Sequence, residues 1–436
     1  MKKLSNFQIT LLVVFGSLFA AGVLIFALAT AGGNSKAIAP VTMWGTFDDT
    51  LVALVMQQAI DADKRLEQVT YVRKDPATYE RDLTEALAEG GGPDMFILRG
   101  DYALHDSGKA MHIPYSSFPQ AQFQSAFLDA ASSYLADDGI IAVPLVVDPL
   151  VLFWNRDMLA TAGYANPPAF WDEVAPMVRK MTKRDDGGSI IKSGVALGEH
   201  RNIHNAKDIL STLILQAGGT ITGHDSRGVL VSTISPQGST LAAASQNALG
   251  FYTQFADPAN DAYAWSRALP ESQTSFAAGD VGLYVGHASE AANIAKTNPN
   301  LNLAMAPLPQ IRAMDRTLDT ALVYGIAIAR TSRHQTDALT AAYLIAKQPV
   351  SLALAEQSGM ASALRSAVSL PAQGNADLVN KAAIISRAWL DPDPVATEDL
   401  FRAMIEDTVS GSSKIIDAVS QADKLMKQII GEGEGT

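Results

Sequence analysis

Between Val41 and Leu98 the chain alternates five short elements, and no other feature limits the fold as much. Val41–Trp44 is an apolar strand, and Gly45-Thr46-Phe47-Asp48 turns it into a helical stretch over Leu51–Leu66. Val69–Val72 reads as a second strand. Asp75-Pro76 then opens a helix through Ala88, with proline in the first turn and Gly90-Gly91-Gly92 past its end. Pro93-Asp94 leads into the third strand, Met95–Leu98. Such alternation predicts an α/β architecture, a parallel sheet with crossover helices. Ligands of these sheets collect beyond the carboxyl ends of the strands, here Trp44–Phe47 and Arg99–Tyr102.

The stretch Ala142–Leu159, AVPLVVDPLVLFWNRDML, adds a second constraint. Its apolar run reaches Val147, meets Asp148-Pro149 and resumes as VLFW. Proline has no N–H for a sheet ladder and pushes the preceding residue toward extended backbone, so the expectation is a strand interrupted at a bend. Asn155-Arg156-Asp157 starts a helix, with Asn or Asp as N-cap. A charge between two apolar runs needs a polar partner. Asp148 therefore either caps local backbone amides or faces a cleft and meets a ligand.

Further along, Phe170–Met181, Ala206–Ala217 and Leu241–Ala256 have helical periodicity. Val281–Val285 reads as a buried strand followed by Gly286-His287 and a helix start, and Leu301–Met305 and Ala321–Ala329 return to strand composition. Helices are expected over His334–Lys347, Val350–Gln357, Asp377–Leu390, Thr397–Val409 and Ser413–Ile430, with residues 431–436 disordered.

At 436 residues the chain exceeds what one core usually serves, so two lobes are expected. A net charge of −12 without a basic stripe argues against nucleic acid. The absence of cysteine excludes disulfides, thiolate zinc sites, a cysteine nucleophile and a lipid anchor on an N-terminal cysteine. At the N-terminus, Lys2 and Lys3 precede 23 mostly apolar residues, Phe7–Ala29. That length is near the ~20 needed to span a bilayer and exceeds a signal-peptide core. The expectation is a signal anchor over residues 1–31 that leaves the remainder outside the cytoplasm, followed by a tether over 32–40. Small residues at Ala27 and Ala29, or at Ala37 and Ala39, leave cleavage open.

Several segments in order carry a resemblance: VTMWGTFDD, GGPDMFIL, AVPLVVDPLVLFWNRDMLATAG, PPAFWDEVAPMVRKM, SFAAGDVGLYVGHAS, LNLAMAPLP and LVYGIAIARTSRHQTDALTAAYLIA. The chain resembles the extracellular solute-binding proteins of bacterial ABC importers, the family that includes maltose-binding protein. The likeness runs from Val41 to Ile430. It implies a two-lobed periplasmic-binding-protein clamshell of type II. One lobe takes residues 40–147 plus 302–364, the other 149–301 plus 370–430, and Asp148 and Pro149 form the first hinge crossing. The resemblance further implies that ligand closes the lobes and that the closed form docks on a permease. Relatives in Gram-positive bacteria are usually held by a lipidated cysteine, and the expectation is that a transmembrane tether takes its place here.

Seven residues are candidates for ligand contact, most with a plainer alternative. Trp44, leaving the first strand, either stacks on a sugar ring or fills core, since sugar sites pair aromatic platforms with polar side chains. Arg99 and Asp101 are either ligand contacts, as the resemblance implies, or a surface ion pair. Asp148 gains weight from the hinge. His287 matches a turn where the family often has a ligand-contacting aromatic; a neutral imidazole capping the next helix is the alternative. Tyr324 precedes Gly325, whose missing side chain permits close backbone approach. Trp389 resembles the aromatic platform of the second lobe, with helix packing as the competing account. Trp171 and Trp154 are assigned to packing.

His200 and His204 have HxxxH spacing but no intervening glutamate, so no metal or cofactor is expected. No GxSxG, GxxxxGK[ST] or HExxH motif is present, and no reaction is expected. The combined expectation is a monomeric, membrane-tethered extracytoplasmic receptor that delivers a solute, most simply a carbohydrate, to an ABC importer permease. Arg99, Arg201 and Arg267 leave room for an anionic solute. A ligand sensor of the same fold and a glycan hydrolase are the alternatives.

Overall fold

The computed structural model describes residues 37–235 and 240–433. The expected anchor at residues 1–31, residues 32–36 of the tether and residues 434–436 of the tail lie outside the described residues. Among the described residues no single helix is long and apolar enough to cross a membrane.

The opening alternation gives β1 (Val41–Gly45), α1 (Asp49–Ala62), β2 (Val69–Arg73), α2 (Tyr79–Ala88) and β3 (Met95–Arg99). β1 pairs in parallel with β2 on one side and β3 on the other. Asp48 caps α1, its side chain accepting from Thr50 N at 2.9 Å. α2 starts later than expected because Asp75-Pro76 belongs to a turn, closed by Ala77 N on Asp75 Oδ1 at 2.9 Å.

β4 (Ala142–Asn155) is one continuous strand of 14 residues, which corrects the expectation of an interruption at Asp148-Pro149. The strand changes neighbours there instead. Residues 142–149 pair with β8 (Asp319–Ile328), while Leu150–Asn155 pair with β6 (Val281–His287) and β7 (Leu303–Ala306). Pro149, which has no amide to donate, is the last residue paired with β8, opposite Ala321. Asn155 then caps α3 (Arg156–Thr161), its Oδ1 accepting from Asp157 N at 3.0 Å and Met158 N at 3.2 Å.

The sheet thus has two halves joined through β4 and β8. One contains β2, β1, β3, β8, the front of β4 and β9 (Ala361–Ser362). The other contains the rear of β4, β6, β7 and β5 (Ile190–Val195). The expected parallel pairing holds for β1–β3 and for β5 with β6, whereas β4 pairs antiparallel with β6, β7, β8 and β9, and β8 pairs antiparallel with β3. Tyr134, fully buried, donates its hydroxyl to Leu98 O at 2.6 Å and Val323 O at 3.0 Å, tying β3 to β8. Gly325 makes this possible. A Cβ there would lie 3.0 Å from the Tyr134 ring and 3.0 Å from Val143 O.

Helix α4 (Ala206–Gln216) is buried along nearly its whole length, and α5 (Glu290–Thr297) follows β6. The helix expected over Asp377–Leu390 stops at Ile385. Ser386–Arg387 forms β10, parallel to Asp319–Thr320, and Trp389 lies in the link to α6 (Pro394–Val409). The last helix, α7 (Ile415–Gly433), includes residues expected to be disordered.

Candidate functional site

Where the two half-sheets meet, a cavity of about 370 Å³ is lined from both sides. The N-terminal half contributes Arg99–Tyr102 at the end of β3, a carboxyl end of the kind named by the sequence. β8 contributes Thr320–Val323, α4 supplies Lys207, Asp208 and Ser211, and His287 closes the end of β6. Trp389, Asp391 and the first turns of α6 complete the wall.

Every cation in this wall already faces a carboxylate. Arg99 Nε donates to Asp101 Oδ1 at 3.0 Å, and its Nη2 donates to Asp101 Oδ2, the two-pronged pairing that guanidinium geometry favours. Lys207, buried on α4, donates to Asp391 Oδ2 at 2.7 Å, Thr397 Oγ1 at 2.7 Å and Pro394 O at 3.1 Å. Arg387 lies 2.8 Å from Asp129. His287 Nδ1 donates to the Asp148 carbonyl at 3.0 Å and Nε2 to Asp208 Oδ2 at 3.2 Å. Burial opposes a charged His287. The bond to Asp208 and the charges of Asp148, Asp208 and Glu290 outweigh it and raise the imidazole to about 9. Both ring nitrogens therefore donate. Burial likewise works to raise Asp208, and His287, Lys207 and Arg99 together hold it below its ordinary value.

Two uncharged features distinguish the cavity. Ser211 is 1% exposed and its hydroxyl has no partner, although the residue lines the cavity. Close by, the Thr212 and Thr320 hydroxyls bond each other. Trp389 is half-buried, with its ring 6.3 Å from that of Phe401 and 5.6 Å from Lys207 Nζ.

Arg99, Asp101, His287 and Trp389 come together at the cavity, and the other three candidates do not. Trp44 is covered by Lys74, whose Nζ lies 3.4 Å from the ring centroid. Tyr324 sits opposite Arg99 in the ladder with its ring 5.3 Å from that of Phe47, so the preceding residues of β8 form the wall. Asp148 is 1% exposed. Its carboxylate accepts from Ser289 N at 3.0 Å and Ser289 Oγ at 2.6 Å, capping the approach to α5. That places it as a backbone cap, with no oxygen directed to the cavity. His287 is also not a neutral cap, since its ring is charged and locked between Asp148 and Asp208.

Lys207, Asp208, Ser211 and Asp391 escaped the sequence reading. The available signal was the charged pair Lys207-Asp208 at the head of a helix with no other charged residue. His200 Nε2 bonds Glu398 at 2.8 Å, and His204 is 3.9 Å from Glu271. Among the described residues no cluster of three potential ligands suits a metal ion. The arginines that left room for an anion include Arg267, which is paired with Glu199 at 3.2 Å.

The family model of bacterial extracellular solute-binding proteins matches residues 47–348, more than half of the chain. Among solved structures, the GacH receptor of Streptomyces glaucescens, known unliganded and with acarbose, is similar over 91% of this chain and 100% of its own, with 16% identity and a TM-score of 0.72. A cyclo/maltodextrin-binding protein complexed with maltotetraose is similar over 91% and 99%, with 16% identity and a TM-score of 0.71. A cyclic alpha-maltosyl-1,6-maltose binding protein from Arthrobacter globiformis is similar over 91% and 100%, with 15% identity and a TM-score of 0.72. These likenesses establish the two-lobed fold. A Brucella abortus (strain 2308) protein described as a binding protein is 25% identical over 93 residues, which span 21% of this chain and 23% of the relative.

Proposed function

The chain belongs to the bacterial extracellular solute-binding protein family, and we propose that it captures a neutral carbohydrate in the cavity between its lobes. The observation that carries this reading is the pairing of every wall cation with a carboxylate: Arg99 with Asp101, Lys207 with Asp391 and His287 with Asp208 within the wall, and Arg387 with Asp129 outside it. An anionic ligand would have to break Arg99–Asp101 or Lys207–Asp391. A polyhydroxylated neutral ligand can accept from and donate to these pairs while they stay intact, and Ser211 offers it a hydroxyl in need of a partner. Trp389 is the only tryptophan in the wall, which supports a role for it as the platform that stacks on a sugar face. The sugars bound by the similar structures agree with this choice.

In this reading the protein catalyses nothing, because each cavity carboxylate is engaged by a cation or a hydrogen-bond donor. Ligand stabilises the closed arrangement by touching both lobes only there, and the closed form is delivered to an ABC importer permease. Residues 40–147 with 302–364 and 149–301 with 370–430 act as the two lobes, and the hinge lies at Asp148-Pro149, where β4 changes partners. Phe7–Ala29 serves as an anchor that keeps the receptor on the extracytoplasmic side of the cell membrane, which membrane fractionation of the full chain tests.

A thermal-shift panel tests the ligand class. A neutral sugar at about 100 times its dissociation constant adds about 2.7 kcal/mol of stability. Maltose, maltotetraose and mannotriose should include at least one such ligand, whereas glucose 6-phosphate and citrate should not shift melting. A shift confined to the anions would overturn the proposal.

A further inference from the structure

Behind the Arg99–Tyr102 wall, outside the cavity, two carboxyl groups stand side by side. Glu80 comes from α2, and Asp106 from the turn that follows Tyr102. Asp106 is fully buried, and its Oδ1 receives His105 Nδ1 at 2.6 Å and Lys109 Nζ at 2.6 Å. Asp106 Oδ2 and Glu80 Oε2 are both buried atoms, and neither meets a donor from another group. Each group is nonetheless among the causes of the other's shifted titration, so the two are close enough to act on each other. Ionised carboxylates only accept, so a bond between these two unpartnered oxygens would require a proton. Asp106 is in turn fastened to the cavity wall. Its amide donates to Tyr102 O at 2.8 Å, and the neighbouring His105 ring meets the Tyr102 ring edge-on at 6.1 Å. The Arg99 guanidinium lies over the other side of this unit, 5.4 Å from the Tyr102 ring centroid.

We infer that Glu80 and Asp106 share one proton between Glu80 Oε2 and Asp106 Oδ2, and that this acid–carboxylate bond positions the Arg99–Tyr102 wall of the cavity. The two groups are positioning residues. Their relevance to ligand rests on the proposed function, but the bond itself does not.

Electrostatics assign the proton to Glu80. Burial first, then the bond to Asp106 and its charge, push Glu80 up to about 8 against the opposing charges of Lys109 and Arg99. Burial also raises Asp106, but His105, Glu80 and Lys109 outweigh it and keep Asp106 low. Tyr79 and Tyr102 also face the pair, and Asp393 faces His105. A group whose proton is held more tightly in the folded state gives stability that is complete below its ordinary value and is lost as pH rises through the folded one. The wall should therefore loosen above about pH 8, where two anions replace the shared proton. His105, raised by its bond to Asp106, loses its charge in the same direction, so wild type alone does not isolate Glu80.

Glu80→Gln does isolate it, because the amide donates to Asp106 at every pH and leaves His105 and Lys109 untouched. The test is hydrogen exchange at the Ala103 and Asp106 amides of the ligand-free full chain, corrected for intrinsic rates, from neutral pH to about 9.5. Wild-type protection should fall by up to about tenfold per pH unit above about 8, and Glu80→Gln should hold its protection. Parallel loss in both proteins, or a Glu80→Gln protein already unprotected at neutral pH, would overturn the inference. Infrared difference spectra give a second readout. Wild type at neutral pH should show a protonated-carboxyl band that Glu80→Gln lacks, and its absence from wild type would equally overturn the inference. With maltotetraose as probe, wild-type affinity should drop above about pH 8 while that of Glu80→Gln persists. Failure of maltotetraose to bind either protein would count against the sugar reading alone, because the exchange and infrared results decide the proton.

Discussion

Replacing Lys207 by methionine is the most informative single change to the architecture of the cavity. The ammonium uses all three of its protons, on Asp391, Thr397 and Pro394, and both Lys207 and Asp391 are at least nine-tenths buried. Methionine retains most of the stem's volume but removes the charge. Asp391 then keeps only Thr397 Oγ1 at 2.9 Å and Asp393 N at 3.2 Å. Breaking one side of a buried ion pair costs about 3–5 kcal/mol, because the remaining charge stays buried without compensation. That is a large part of the roughly 5–15 kcal/mol that holds a domain folded. Burial raises Asp391 to about 6, with Lys207 pulling against it. Without Lys207 the carboxyl protonates more readily, and the neutral acid needs no counter-charge. The penalty should therefore be largest near pH 8 and shrink toward pH 5, values on either side of that titration. Urea unfolding followed by tryptophan fluorescence measures it as a shift in midpoint at constant slope. A loss under about 1 kcal/mol, the size of a surface pair, or a loss equal at both pH values, would refute the reasoning.

Other consequences follow from the same wall. The charge on His287 should stabilise the fold fully below its ordinary value near 6.5 and lose its effect as pH rises through about 9, a contribution of about 3 kcal/mol that His287→Gln should remove from the pH profile of urea unfolding. Gly100→Ala places a Cβ 2.7 Å from Ser133 Oγ and 3.3 Å from Val323 Cβ. It should cost about 1–3 kcal/mol by denaturation, and adding Ser133→Ala, which deletes a hydroxyl that has no partner, should recover most of that. Asp148→Ala leaves the Ser289 amide and hydroxyl unmet. It should cost about 1–3 kcal/mol of stability by the same assay, with any loss of sugar affinity confined to conditions where the fold is already weakened.

Local chemistry carried the elements that are legible in the sequence. The alternation of β1, α1, β2, α2 and β3 follows from apolar runs, turn residues and caps within a few positions of each other, and it placed Arg99 and Asp101 at a strand end that lines the cavity. Long-range partners were not legible. Asp148 meets Ser289, 141 residues downstream, so its choice between cap and cleft could not be made from neighbours in sequence. The proline at 149 suggested a break because ladder bonds are assumed continuous; the strand survives because its partners change at that point. Trp44 lies at a strand exit, but which way its ring faces depends on Lys74 across the turn. Trp389 was assigned to a helix because Asp377–Leu390 has helical periodicity, and pairing with Asp319–Thr320 draws Ser386–Arg387 into the sheet instead. Lys207 was hidden for a similar reason. A lysine in a buried helix acquires meaning only once Asp391 and Thr397, nearly two hundred residues away, are seen beside it.

Calorimetric titration of maltotetraose and mannotriose into the wild-type full chain and its Trp389→Ala and Trp44→Ala variants tests the central claim most directly. The account predicts that at least one sugar binds wild type, that Trp389→Ala weakens it several-fold to about tenfold through the lost stacking face, and that Trp44→Ala leaves it nearly unchanged. Binding that survives Trp389→Ala but fails in Trp44→Ala, or no heat from either sugar, would contradict it.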